Sequence, residues 1–377
     1  MGFRKLSTQA PTIDAASVGA LSVLFIGLTL THTARAQEPQ LTDNGNSGPV
    51  TAATLPPVEV RAAGGASAQE DGLNNPDGVS AVSKTGTALK DLPASVQVIP
   101  RALLSEQGAT MLRQGVENAS GVNVGGPDSK GFFDHFMIRG LQAQVYNDGF
   151  SDGDQVNGVS HSLNGVKRIE ILEGPGSALF GSGPPGGTIN IVHYTPSSTF
   201  HFGGDIQSGS FGTVSSSAYV TGPTGVAGLS YRVDASASRS DGFRDLSSWD
   251  EEIRPTLEWR AGNHKVELSL EAQRIRETPD SYGLIYFHGS PITSVPIDAK
   301  YSTPFAAARG SYIRPTLTDE WKIDEFLTVN NRFSYLHRSL DFFSNGDSAS
   351  TKVVGDQVTR RQLRHQIDLD NTFDYQL

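Results

Sequence analysis

The sequence contains no cysteine, which excludes a disulfide framework, a thiolate metal site and a cysteine nucleophile. It has little continuous hydrophobicity. The longest predominantly apolar run, residues 18–30 (VGALSVLFIGLTL), falls short of the roughly 20 residues a helix needs to cross a bilayer. Positive charge is in deficit, with 30 Lys+Arg against 40 Asp+Glu for a net −10. The basic residues form no block, so no nucleic-acid partner is expected, because phosphate binding needs clustered cations. Nine dispersed histidines show no HExxH spacing, and no metal held by the protein itself is expected. No nucleophile stands beside a base, so the chain is expected not to be an enzyme. What is plentiful is glycine, 41, and proline, 20, in 377 residues, more than the usual ~12% combined. That composition favours many turns over long helices.

Arg4 and Lys5, the apolar run, and Ala34-Arg35-Ala36 together predict a secretory signal peptide over 1–36. An exported chain without helical spans is either soluble or a β-barrel, since only helices and closed barrels satisfy their backbone groups in lipid. Residues 37–79 are rich in Gly, Ala, Pro, Asn, Thr and Ser and predict a flexible tail. Within it, residues 54–62 (TLPPVEVRA) form an extended island: Pro56 and Pro57 fix φ, and Leu55, Val58, Glu59 and Val60 cannot continue a helix past them. Such a segment suits strand addition to a partner's sheet edge, or is a plain linker.

Residues 80–198 predict a compact α/β domain. Ala94–Ile99 reads as a strand, Arg101–Leu112 as a helix with Leu103, Leu104, Met111 and Leu112 on one face, and Phe136–Arg139, Val166–Leu172 and Thr188–Val192 as further strands. Gly181–Gly187 (GSGPPGG) lacks the Lys-Ser/Thr of a phosphate loop and reads as a structural turn. From 199 to 377 the pattern changes to period 2, as in Leu229, Tyr231, Val233, Ala235, or Leu327, Val329, Asn331, Phe333, Tyr335. Strands of roughly ten residues, apolar on one face and charged on the other, fit a transmembrane barrel with a wet lumen better than a soluble sandwich. About eight such strands are expected, with short links near 222–227, 261–264 and 324–326 and longer ones at 241–249, 276–312 and 341–358, the alternation of periplasmic turns and extracellular loops.

These segments resemble a TonB-dependent outer-membrane receptor of the ferric-siderophore type. The likeness rests on Asp91–Pro100 (DLPASVQVIP), Ser105–Val124, Phe136–Leu141 (FMIRGL), Tyr146–Phe150 (YNDGF) and Arg168–Val192 (RIEILEGPGSALFGSGPPGGTINIV). Glu173 stands where many members carry Lys or Arg. The resemblance implies an α+β plug domain followed by an antiparallel transmembrane barrel, a TonB box at Leu55, Pro56, Pro57, Val58, Glu59 and Val60, and a plug–barrel ion-pair network at Arg139, Arg168, Glu170 and Glu173. Ligand contacts are expected from loops 126–134 and 142–151, notably Phe132, Phe133, Gln144 and Tyr146. The implied activity is energised uptake of a ferric siderophore, the iron arriving already chelated so that no cofactor is needed. The implied partners are TonB and outer-membrane lipid, and the implied place is a Gram-negative outer membrane. Haem, a corrinoid or an oligosaccharide is the alternative cargo; a passive porin would explain the strands but not the plug. A plugged lumen goes with about 22 strands, so the eight predict an incomplete barrel, the N-terminal part of a longer receptor.

Overall fold

The computed structural model describes residues 89–125, 134–152, 161–175, 183–278, 286–287, 290–291, 296, 298, 306–345 and 357–375. The signal peptide, the tail and residues 54–62 lie outside them. Two assemblies of strands follow one another along the chain.

The first opens with β1 (Ser95–Pro100), α1 (Arg101–Glu106) and α2 (Leu112–Val116). One helix was expected over 101–112; the structure has two short ones. Gly108, at φ +64, turns the chain out of the first, and Gln114 Oε1 accepts from the backbone N–H of Thr110 and Met111 to start the second. There follow β2 (Val122–Gly125), β3 (His135–Ile138), β4 (Leu141–Asn147), β5 (Phe150–Ser151), β6 (Val166–Glu173) and β7 (Gly187–His193). The sheet order is β1-β6-β7-β4-β3-β2, with β5 on β4. Its β4–β7 pair is parallel and the others are antiparallel. One apolar core, including Leu104, Leu112, Val116, Ile138, Ile169, Ile171 and Ile189, all fully buried, joins the two helices to this sheet. Burial stabilises each such side chain by about 1.5–3 kcal/mol.

Two of its hairpins turn through Arg139-Gly140 (φ 53 and 79) and Asp148-Gly149 (φ 48 and 78). Positive φ at both central residues is the type I′ geometry, whose twist matches the flanking strands and which favours Gly, Asn and Asp. The stretch 142–151, expected as a loop, is therefore a strand and a tight hairpin.

The second assembly comprises β8 (His201–Ser208), β9 (Val214–Pro223), β10 (Leu229–Ser240), β11 (Ser248–Ala261), β12 (His264–Glu277), a short hairpin β13 (Tyr286–Phe287) and β14 (Ser290–Pro291), then β15 (Ala307–Lys322), β16 (Leu327–Asn345) and β17 (Gln357–Tyr375). Apart from β13–β14, they form an eight-stranded antiparallel meander in chain order. The eight strands and their order match the sequence pattern. The last three, at 16, 19 and 19 residues, exceed the ten expected.

Burial in this sheet is inverted relative to a soluble protein. On β11, Asp250, Glu252, Arg254, Thr256 and Glu258 are buried, while Trp249, Ile253, Leu257 and Trp259 are exposed. The buried face is lined by charge and covered by the first assembly; from Ile253 to Trp259 the exposed face is apolar, as lipid demands, with exposed Glu251 beyond it. Among the described residues no helix is long and apolar enough to cross a membrane.

Candidate functional site

The turn residues of the Asp148-Gly149 hairpin project from the first assembly into the charged face of the second. Asp148 accepts hydrogen bonds from the backbone N–H of His193 at 2.9 Å and from Arg254 Nη2 at 2.7 Å, and its other pairing is with His193 Nδ1 at 3.0 Å. Arg332 donates to the Asp148 carbonyl and lies over the Phe150 ring, 4.3 Å from its centroid. At φ +78 Gly149 favours glycine, and the Arg332 guanidinium packs close against it. Beside it, Asn147 Nδ2 donates to Glu271 at 2.7 Å.

Four residues beyond Asp148, Asp152 is the second hub. His161 Nε2 lies 2.8 Å away, Arg314 Nη2 at 2.9 Å and Arg338 Nη1 at 3.5 Å, with all four side chains at most 5% exposed. Arg314 Nη2 and Gln366 Nε2 also donate to the Ser151 carbonyl at 3.2 Å. The segment Asn147–Asp152 is thus gripped by β11, β12, β15, β16 and β17 together.

Electrostatics decide the charge states. Burial acts to raise both carboxyls, but His193 and Arg254 hold Asp148 well below the usual carboxylate range, and His161, Arg314 and Arg338 do the same for Asp152. Burial acts to lower the His161 imidazole, and the adjacent Asp152 carboxylate outweighs it, so His161 is raised. The hubs are ionised ion-pair centres at neutral pH. Next to Asp148, which is 31% exposed, a polar cavity of about 400 Å³ opens between the plug-side hairpin and the sheet wall, bounded by His193, Arg254, Glu267, Arg332 and Asp370.

The four charges expected in a plug–barrel network pair with one another inside the first assembly. Arg139 pairs with Glu173, and Arg168 Nε with Glu170 at 2.7 Å. Their positions explain it: Arg139 occupies a hairpin turn facing the end of β6, and Arg168 and Glu170 are neighbours on one face of β6. The described ion pairs that cross to the large sheet run instead through Asp148 and Asp152. The Asp-Gly dipeptide marked the turn, but nothing in one sequence says which inward arginine will face it. Of the expected ligand contacts, Phe132 and Phe133 lie outside the described residues. Gln144 donates to Ser151 Oγ at 2.6 Å, and Tyr146 is 3% exposed, its phenol raised by burial and by Asp368. Among the described residues no group of three or more His, Asp or Glu is placed to hold a metal ion.

Comparison with known proteins agrees with this geometry. Residues 88–188 match the family model described as TonB-dependent Receptor Plug Domain. The Metal-pseudopaline receptor CntO of Pseudomonas aeruginosa is 29% identical over 203 residues, 52% of this chain and 28% of that one. The Ferrioxamine B receptor of Salmonella typhimurium is 27% identical over 284 residues, 68% of this chain and 39% of that one. The chain thus spans well under half the length of these relatives. In fold, the siderophore receptor PiuA of Acinetobacter baumannii superposes with a TM-score of 0.67 at 21% identity, over 81% of this chain and 44% of that one. The ferripyoverdine receptor of Pseudomonas aeruginosa gives 0.67 at 16%, over 76% and 40%.

Proposed function

We propose that this chain, a TonB-dependent receptor by its plug domain and its barrel strands, takes part in energised uptake of a ferric siderophore across a Gram-negative outer membrane. The observation that carries the reading is the Asn147–Asp152 latch. It seats the plug against a charged wall while the opposite face of that wall is apolar. A passive pore has no use for a plug held by buried ion pairs, and the match of residues 88–188 to a receptor plug domain supports a non-enzymatic role.

In this reading ligand binding on the outer side alters the plug. Residues 54–62 then add as a strand to the periplasmic domain of TonB, and iron crosses as a finished chelate that asks no cofactor of the protein. Phe132, Phe133, Gln144 and Tyr146 are proposed contacts of the chelate. The relatives' printed names, metal-pseudopaline and ferrioxamine B receptors, favour a metal chelate over haem, a corrinoid or an oligosaccharide.

The test is iron-limited growth with single siderophores as sole iron source, comparing cells with and without the gene. Loss of growth on one ferric siderophore is expected. Unimpaired growth on all of them, with a defect on haem or a corrinoid, would overturn the proposed cargo. In the same cells Val58→Pro should abolish uptake and leave surface binding intact; full uptake by that variant refutes the TonB-box assignment.

A further inference from the structure

On the outward face of the sheet, away from plug and lumen, two histidines stand opposite each other. His337 of β16 and His365 of β17 are directly paired in register. Their rings are 4.6 Å apart at 39°, their Nδ1 atoms are 3.4 Å apart, and Tyr335 Oη lies 2.9 Å from His365 Nδ1. Flanking residues of the same parity, Phe333, Leu363 and Ile367, are exposed, whereas Leu336 and Arg338 are buried. The pair therefore takes no part in the latch.

The register fixes its height. The cross-strand row through it is Ala235, Ile253, Ala272, Ile313, His337 and His365, which is apolar until the two histidines. The next row toward the long links contains Glu251 and Arg274. The imidazoles thus sit at the outer margin of the apolar band, where water reaches them.

We propose that His337 and His365 form a binding site for a divalent transition-metal ion, with Tyr335 as a neighbouring oxygen donor. Two Zn–N bonds of 2.0–2.1 Å at a tetrahedral angle place their nitrogens about 3.3–3.4 Å apart, the separation found here. Imidazole nitrogen suits Zn²⁺, Ni²⁺ and Cu²⁺ over Mg²⁺ or Ca²⁺, which take oxygen. The remaining positions fall to water at the band's margin. A bound ion cross-links β16 to β17 and is distinct from any chelated iron that crosses the lumen.

The test uses the full chain, freed of metal by chelation and folded in detergent, titrated with Zn²⁺ alone at neutral pH. One equivalent is expected to bind and to be lost in His337→Asn and in His365→Asn. It should persist in His201→Asn, an exposed histidine on β8. Unchanged binding in both pair variants overturns the proposal. Cu²⁺ bound to the unaltered chain provides a measurement free of folding concerns. Its electron paramagnetic resonance spectrum should show coupling to two imidazole nitrogens, and coupling to fewer overturns the site.

Discussion

Asp152→Ala removes one carboxylate from beneath three cationic partners. Arg314 and Arg338 are 1% and 2% exposed, so neither can turn to water, and among the described residues Arg314 Nε and Nη1 already lack hydrogen-bond partners. Removing one member of a buried ion pair costs about 3–5 kcal/mol, chiefly because the other charge stays buried and uncompensated. With two guanidinium groups stranded, the upper part of that range applies. Each 1.36 kcal/mol is tenfold, so opening of the plug's latch from the wall should become roughly a thousandfold more frequent. The assay is native-state hydrogen exchange of the full chain in detergent, followed at the Asp152 amide, which bonds the Val145 carbonyl at 3.0 Å. Adding Arg314→Met and Arg338→Met to Asp152→Ala should recover protection, since apolar replacement of a whole buried cluster is often neutral. A single variant with wild-type exchange, or a triple variant worse than the single, would refute the reasoning.

Gly187→Ala should destabilise the plug by on the order of 3 kcal/mol or more, because φ is +144 and the new Cβ would lie 2.1 Å from the Leu172 carbonyl oxygen; Gly108→Ala, at φ +64 with open space around it, should cost only about 1–2 kcal/mol, and equal urea midpoints would contradict the contrast. Leu268→Arg, in the middle of the outward row Leu257, Leu268, Leu317, Phe333, Leu369, should lower folding stability in lipid bilayers by about 2–4 kcal/mol, and unaltered folding there would count against the orientation of the sheet. A raised His161 contributes stability that is complete below its unfolded value near 6.5 and declines as pH rises through its folded value. Asp152, held low, contributes above an unfolded value near 3.9 and loses it as pH falls. The latch should therefore loosen as pH rises through the folded value of His161, seen in hydrogen exchange corrected for its intrinsic pH dependence, and His161→Gln should remove that dependence.

The strands were legible because the period of two survives at every level. Leu229 to Asp234 alternates in sequence and again in exposure, and the turn chemistry of Asp148-Gly149 is carried by two residues alone. The helix at 101–112 was overextended because apolar spacing continues across Gly108, and only its left-handed backbone ends the first helix. The latch was not legible as a latch. Arg254, Arg314 and Arg338 look in sequence like any inward-facing charges of a wet lumen, and their meeting with Asp148 and Asp152 spans more than a hundred residues. Pairing Arg139 with Glu173 inside the plug likewise depends on the order of the sheet's strands, which periodicity does not encode.

Asp148 carries two demands at one position. Its φ of +48 tolerates Gly, Asn and Asp but penalises branched and bulky residues, while its carboxylate must meet His193 and Arg254. Backbone and charge therefore select independently, and their allowed sets overlap in a single amino acid. In a saturation library, Asn and Gly at 148 should retain the hairpin but not the ion pairs, Glu should retain the charge but strain the turn, and the other substitutions should fail on both counts. The mutational profile of this residue becomes a two-channel readout, separating how much of the protein's stability rests on the shape of the plug and how much on its anchorage.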